Sequence, residues 1–348
     1  MSGNKARDLL WPADTRILVR FVFLNVGQGA STLVLVRNGD TWKVLLVDVN
    51  LDRENEGIDV PALVSDLLNG DDLEVFVNTH PHSDHLRGIT ELSDKVAINE
   101  VWHSGHKPGK KHDEAYRGLC TVIEKVKKNG GSEVKLLGSR EEKAIFDARY
   151  YVLAPAEYIC DDIEDEDPEA RARRIHEQCA VLRFGTGERW GLLPGDADRA
   201  AFEKRITEYH KERLPSVVLA ASHHGSRSFF KDEEDDEPYQ DGLDAIDPDY
   251  VVISAPRQSE SKHDHPHDDA VELYKSKAGR ENVFHTGAER NSYIFDLLDD
   301  GSHSEMASDG GELCRAYPLG DGGDDKGVGI GFTERKGETT ISPGRYGG

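Results

Sequence analysis

At 348 residues and 37% hydrophobic content, the chain can bury a sizeable core in one large domain or two small ones. A formal charge of −23 argues against an extended, non-specific nucleic-acid surface, yet a local site is compatible because bound divalent cations reverse the field around them. No stretch approaches the roughly 18 consecutive apolar residues of a membrane helix, and MSGNKARDLLWPADTR lacks a signal core. A soluble, cytoplasmic protein with no membrane association is therefore expected.

Between Ile17 and Val49 the segments RILVRFVFLNV, STLVLVRN and WKVLLVDVN predict strands separated by the turn signals NVGQGA and RNGD. VPALVSDLLN, from Val60, has helical spacing, and LEVFVNT, Leu73 to Thr79, predicts a buried strand running straight into THPHSDHLRG, with a helix from Leu86. VAINEVWHS predicts a further strand, and Asp113 to Asn129 an amphipathic helix closed by Gly130 and Gly131. A second β-rich half follows in KAIFDARYYVLAP, CAVLRFG and RWGLLPGD and, after a helix near Ala200 to Arg213, in SVVLAASHHGS and YVVISAP.

The acidic runs Asp161 to Glu169 and Lys231 to Pro238 predict solvated loops. Cys120, Cys160, Cys179 and Cys314 form no CxxC pair, which predicts reduced, mostly buried thiols. No repeat with a period of 20 to 50 residues is present, which excludes a solenoid or propeller. After Leu298 the composition turns glycine-rich and charged, so residues 299–348 are expected to be an appendage to a domain spanning 1–298.

The chemistry concentrates in THPHSDH, where His80, His82, Asp84 and His85 fall within six residues directly after an apolar strand. His80 and His82, one residue apart, can converge on one cation, while Asp84 and His85 turn toward a second. One loop can thus contribute to two metal sites.

This motif resembles the signature of the metallo-β-lactamase superfamily, whose fold is an αββα sandwich of two mixed β-sheets flanked by helices with a dinuclear metal centre at one edge. FLNVGQGAS, LLVDVN, GLLPGDAD, LAASHHGSRS and ISAPRQSESKHDHPH run in order from about residue 17 to 297. Together they resemble the hydrolase domain of the ComEC competence-protein family and its free-standing relatives, without the channel helices. The resemblance implies that Asp196 bridges two metals and that one of His223 and His224 completes the second site, the other contacting the scissile group. It also implies that Asp48 orients a ligating imidazole and that His265 meets the substrate or leaving group, with His263 and His267 as bystanders. Asp84, His224 and His265 are the expected catalytic set; His80, His82, Asp84, His85, Asp196, His223 and His224 are the expected metal set.

Ala30 stands where the family commonly has an aspartate, and Arg87-Gly88 where it has two glycines. The third ligand of the first metal is open among His103, His106 and His176, and Arg227 is open between a phosphate contact and solvent. Two divalent ions, Zn²⁺ or Mn²⁺, would lower the pKa of a bridging water and make hydroxide the nucleophile. The expected function is a phosphodiesterase or nuclease acting on nucleic acid or a small phosphodiester. A lactonase or β-lactamase-like amidohydrolase, or a non-catalytic partner protein, is the alternative. No protein partner is readable.

Overall fold

The computed structural model describes residues 4–55, 57–108, 113–307 and 310–320. Fifteen strands among these residues make two mixed sheets. The first contains β1 (Ile17–Phe23), β2 (Thr32–Asn38), β3 (Thr41–Val47), β4 (Leu73–Asn78), β5 (Ile98–His103) and β6 (Ser132–Lys135). The second contains β7 (Lys143–Ile145), β8 (Ala148–Ala154), β9 (Val181–Thr186), β10 (Arg189–Leu193), β11 (Val218–Ala220), β12 (Tyr250–Ile253) and β13 (Val283–His285). The chain then returns to the first sheet with β14 (Tyr293–Leu298) and β15 (His303–Ala307). The strand orders are β15-β14-β1-β2-β3-β4-β5-β6 and β13-β12-β11-β10-β9-β8-β7.

Strand periodicity sorts the apolar residues into layers. In β2 and β3, Leu33, Leu35, Val44 and Leu46 face helices such as Val60–Leu68, while Val34, Val36, Leu45 and Val47 face the second sheet. Across that inter-sheet layer lie Leu182, Phe184, Leu193, Val218 and Val252. The outer face of the second sheet, with Val181, Leu192, Leu219 and Val251, packs on Phe202, Phe229, Phe230 and Tyr274. Two sheets between two helical layers make the αββα sandwich that the resemblance implies.

Some elements differ from their predicted form. The helix near Ala200 is interrupted by a π-helical stretch at Phe202–Ile206, and KAIFDARYYVLAP folds as the β7–β8 hairpin around Phe146. The boundary expected at 298 falls inside the fold. β15 pairs with β14, and the helix Gly310–Ala316 buries Leu313 in the same outer cluster as Ala6 and Leu10, because that sheet face needs a cover. The glycine-rich segments after 320 lie outside the described residues. No helix among the described residues is long and apolar enough to cross a membrane.

Topology positions the site. β3, β4 and β5 run parallel, as do β10, β11 and β12, and ligands in α/β sheets gather at the carboxyl ends of such strands. Asp48 follows β3, His80–His85 follows β4, Asp196 follows β10, His223 and His224 follow β11, and Ser254 follows β12.

Candidate metal centre

β4 is an interior strand, so the loop after it starts from a fixed backbone. A 3₁₀ turn at Ser83–His85 then brings His85 back toward the sheet, where Val49 N donates to His85 O at 3.1 Å. The two sheets are tied at this level by Ala180 N donating to Thr79 O at 2.8 Å. On the other side, His223 and His224 both adopt left-handed backbone (φ 48° and 56°) before Gly225 (φ 76°). Two consecutive non-glycine residues in that region cost conformational energy, a cost native folds tolerate at functional sites. His223 N donating to Gly195 O at 3.0 Å helps hold the turn.

Two ligand groups result. His80, His82, His176 and Asp196 form one, and Asp84, His85 and His224 the other, each with donor atoms within 4.8 Å of one another. Asp196 joins them. Its Oδ2 lies 3.4 Å from His80 Nε2 and 4.0 Å from His176 Nε2, while its Oδ1 lies 3.2 Å from His85 Nε2 and 3.6 Å from His224 Nε2. One buried carboxylate therefore presents one oxygen to each imidazole group.

The tautomers follow from the partners. His85 Nδ1 donates to Asp48 Oδ2 at 2.7 Å and His224 Nδ1 donates to Ser254 O at 3.0 Å, so each ring, in its neutral form, turns an Nε2 lone pair inward. Those two Nε2 atoms are 3.1 Å apart, and His224 Nε2 is 3.3 Å from Asp84 Oδ2. Lone pairs and carboxylates facing each other repel unless a positive charge sits among them. His80 Nε2 and Asp196 Oδ1 are also buried without a hydrogen-bond partner. Imidazole and carboxylate donors converging in this way fit divalent cations.

Titration directions differ among the rings, because burial wins at His80 while the carboxylates win at His85 and His224. Burial lowers His80 to about 4, aided by the neighbouring His85, so its ring is neutral and free to ligate. For His85 burial pulls downward, but Asp196 and Asp48 outweigh it and raise the pKa well above the ordinary value; Asp196 and Asp84 do the same, to a smaller extent, for His224. Burial opposes ionisation of Asp196, yet His85, His224, His223 and His80 hold its carboxyl well below the usual range.

Asp48 anchors the His80–His85 loop. Its Oδ2 accepts from Thr79 Oγ1 at 2.6 Å as well as from His85, and its Oδ1 accepts from Thr79 N at 2.8 Å and Asn78 Nδ2 at 3.2 Å. Thr79 Oγ1 is in turn 3.2 Å from His80 Nδ1, so one carboxylate orients an imidazole of each group. Sequence reasoning did not single out Thr79 or Cys179. Cys179 Sγ lies 3.7 Å from His80 Nδ1 and accepts from Asp196 N at 3.3 Å. The one available signal was their direct attachment to the β4 loop and to β9.

Of the three candidates for the remaining position, His176 joins the first group. His103 is bonded to Glu133 at 2.9 Å and His106 to Gln178 at 2.7 Å, and neither enters either group. His223 also falls outside both groups. Its Nδ1 is bonded to Ser228 Oγ at 2.8 Å, its Nε2 lies 3.6 Å from Asp196 Oδ2, and its ring centroid is 4.3 Å from that of His176. Of the pair left open, His224 is therefore the one beside Asp84 and His85. His265 reaches the rim, its ring centroid 5.0 Å from His223 and 6.2 Å from His224, and burial lowers its pKa to about 3.

His267 Nδ1 accepts from Arg227 N at 3.2 Å, and His263 is exposed at the loop. Arg87 lies 3.7 Å from Asp52, and Arg227 pairs with Glu234 and Asp269.

Residues 26–152 match the family model described as the Metallo-beta-lactamase superfamily. No curated protein matches. Among solved structures, the chain is similar to an archaeal metallo-beta-lactamase superfamily protein from Sulfolobus tokodaii, at 14% identity and a TM-score of 0.27 over 50% of this chain and 62% of that one. It is also similar to a subclass B3 metallo-beta-lactamase from a soil metagenome library, at 11% identity and a TM-score of 0.33 over 77% of this chain and 95% of that one. The chain thus spans under two thirds of the archaeal protein, and at these TM-scores neither likeness bears on function. The His80–His85 loop lies inside the segment, residues 26–152, that matches the metallo-beta-lactamase superfamily model.

Proposed function

We infer that this chain is a two-metal hydrolase of phosphodiesters. The observation that carries the reading is the division of Asp196, with Oδ2 toward His80 and His176 and Oδ1 toward His85 and His224. Divalent cations held there would lower the pKa of a water and neutralise charge on the attacked phosphoryl oxygens. His80, His82, His176 and Asp196 would hold one, a set suited to zinc; Asp84, His85, His224 and Asp196 would hold the other, with enough oxygen to suit zinc or manganese.

The remaining residues prepare the ground for an in-line displacement. Asp48 and Ser254 keep the protons of His85 and His224 on Nδ1, away from the reacting space. His265, buried beside His223 and His224 with its pKa lowered by burial, would meet the departing oxygen, the substrate-side role that the resemblance implies. A pair of cation sites sharing one carboxylate suits this geometry, since bound cations would stabilise both the attacking and the leaving oxygen.

The test incubates pure protein with labelled single- and double-stranded DNA, RNA, bis(p-nitrophenyl) phosphate, a lactone and a β-lactam under Zn²⁺, Mn²⁺ or Mg²⁺. Metal-dependent phosphodiester cleavage is expected, abolished in the Asp84→Ala/His85→Ala variant. Equal activity in that variant, or hydrolysis of the lactone or β-lactam alone, overturns the reading.

A further inference from the structure

The acidic run from Lys231 does not simply project into solvent. Asp236 approaches Arg199 Nη1 at 3.6 Å, Asp232 approaches Arg199 Nε at 3.9 Å, and Glu234 approaches Arg227 Nη1 at 3.1 Å. Both arginines belong to segments that carry the metal centre. Arg199 opens the helix three residues after Asp196, and Arg227 follows the His223–His224 turn, with its N–H held by His267 Nδ1 and its neighbour Ser228 bonded to His223.

The guanidinium forks are divided between two kinds of partner. Carboxylates outside the loop lie at the Nε edges, Glu203 bonded to Arg199 at 2.8 Å and Asp269 near Arg227 at 3.4 Å without a hydrogen bond. From the loop, Asp236 and Glu234 lie at the Nη1 edges and Asp232 shares the Nε edge of Arg199. The arginine side chains are 19% and 27% exposed, whereas those of Asp232, Glu234 and Asp236 are 65%, 77% and 40% exposed. The loop therefore covers two pre-oriented cations with carboxylates that water screens and competes for, and such pairs are weak and readily exchanged.

We propose that Arg199 and Arg227 form an anion site beside the metal centre for the non-scissile phosphates of a substrate carrying several phosphates, and that the carboxylates of Asp232, Glu234 and Asp236 occupy it until such a substrate displaces them. The proposal deepens the phosphodiesterase reading and rests on it for the identity of the anion. The arginine fork suits phosphate oxygens as it suits carboxylates.

The loop variant Asp232→Asn/Glu234→Gln/Asp236→Asn is compared with a control, Asp161→Asn/Asp165→Asn/Glu169→Gln, that removes as many negative charges from the other acidic run. Isothermal titration with inorganic tripolyphosphate at low salt reads binding without turnover. Release of three exposed ion pairs is expected to tighten binding by about tenfold in the loop variant. The control should match the parent. Adding Arg199→Gln and Arg227→Gln should cancel the gain, and Arg→Lys replacements, which keep charge without the fork, should retain only part of it if the glutamine forms do not fold. An equal gain in the control, a gain that survives loss of both arginines, or no gain at all overturns the proposal. Turnover is read separately: the loop variant should lower KM for an oligonucleotide and leave that for bis(p-nitrophenyl) phosphate unchanged. Inactivity on every phosphodiester, with the tripolyphosphate difference intact, would overturn the phosphodiesterase reading and leave the anion site standing.

Discussion

Replacing Asp48 with asparagine isolates what its charge does for the centre. Asp48 has φ 57°, a left-handed conformation that asparagine tolerates, so backbone strain changes little. The oxygen kept by asparagine can still accept from Thr79 N and Asn78 Nδ2, but the new amide N–H₂ then faces Thr79 Oγ1 and His85 Nδ1, 2.6 and 2.7 Å from the atom it replaces. Both are donors, and donor against donor is repulsive. His85 escapes by moving its proton to Nε2, where it points at the space shared with His224 and blocks ligation. Loss of a partner that orients a metal-bound imidazole typically costs 10- to 100-fold in affinity, or about 1.4 to 2.8 kcal/mol. Titration of metal-free protein with Zn²⁺ should show that loss, with one of two binding steps weakened more than the other. Asp48→Glu should not rescue, since its longer stem misplaces both oxygens. Metal binding by Asp48→Asn within twofold of the parent would refute the reasoning.

Other perturbations test the fold beneath the site. Gly195 has φ 55°, and a Cβ there would lie 2.6 Å from Cys179 Sγ and 2.8 Å from Thr79 Cβ; Gly195→Ala should lower urea stability by about 2 to 3 kcal/mol and weaken metal binding. Arg20 and Asp296 form a buried bidentate pair at 2.7 Å between β1 and β14. Asp296→Ala should cost about 3 to 5 kcal/mol, and Arg20→Met/Asp296→Leu should recover most of it in equilibrium unfolding. Burial lowers His210, away from the centre, to about 4. The unfolded chain binds this proton near pH 6.5 and the folded chain does not, so stability is full above that pH and is lost as pH falls from about 6.5 toward 4, by at most about 1.4 kcal/mol per unit. His210→Gln should therefore reduce the slope of the urea midpoints of metal-free protein over that range, and an unchanged slope would exclude the assignment.

Most strands of both sheets were legible because strict alternation can satisfy only a two-sided sheet, as Leu33 to Val36 illustrate with residues facing helix and sheet in turn. The edge strands β6 and β13 were not, since short strands such as Ser132–Lys135, exposed throughout, carry no apolar period. The break at Phe202–Ile206 was equally silent, because a single wide turn leaves helical spacing intact.

From the sequence alone came the chemistry of the loop after β4. Four candidate ligands within six residues, three histidines and an aspartate, converge through local geometry, which the strand and the turn set between them. Tertiary structure alone decided which distant groups meet that loop. His176, 94 residues from His82, was one of three equivalent histidines until packing of the two sheets placed its Nε2 3.4 Å from His82 Nδ1. Likewise His223 and His224 are alike in sequence, and only successive left-handed residues aim one at Asp84 and the other at Ser228. Contacts between residues far apart in the chain follow from how whole layers pack, and no local pattern encodes that.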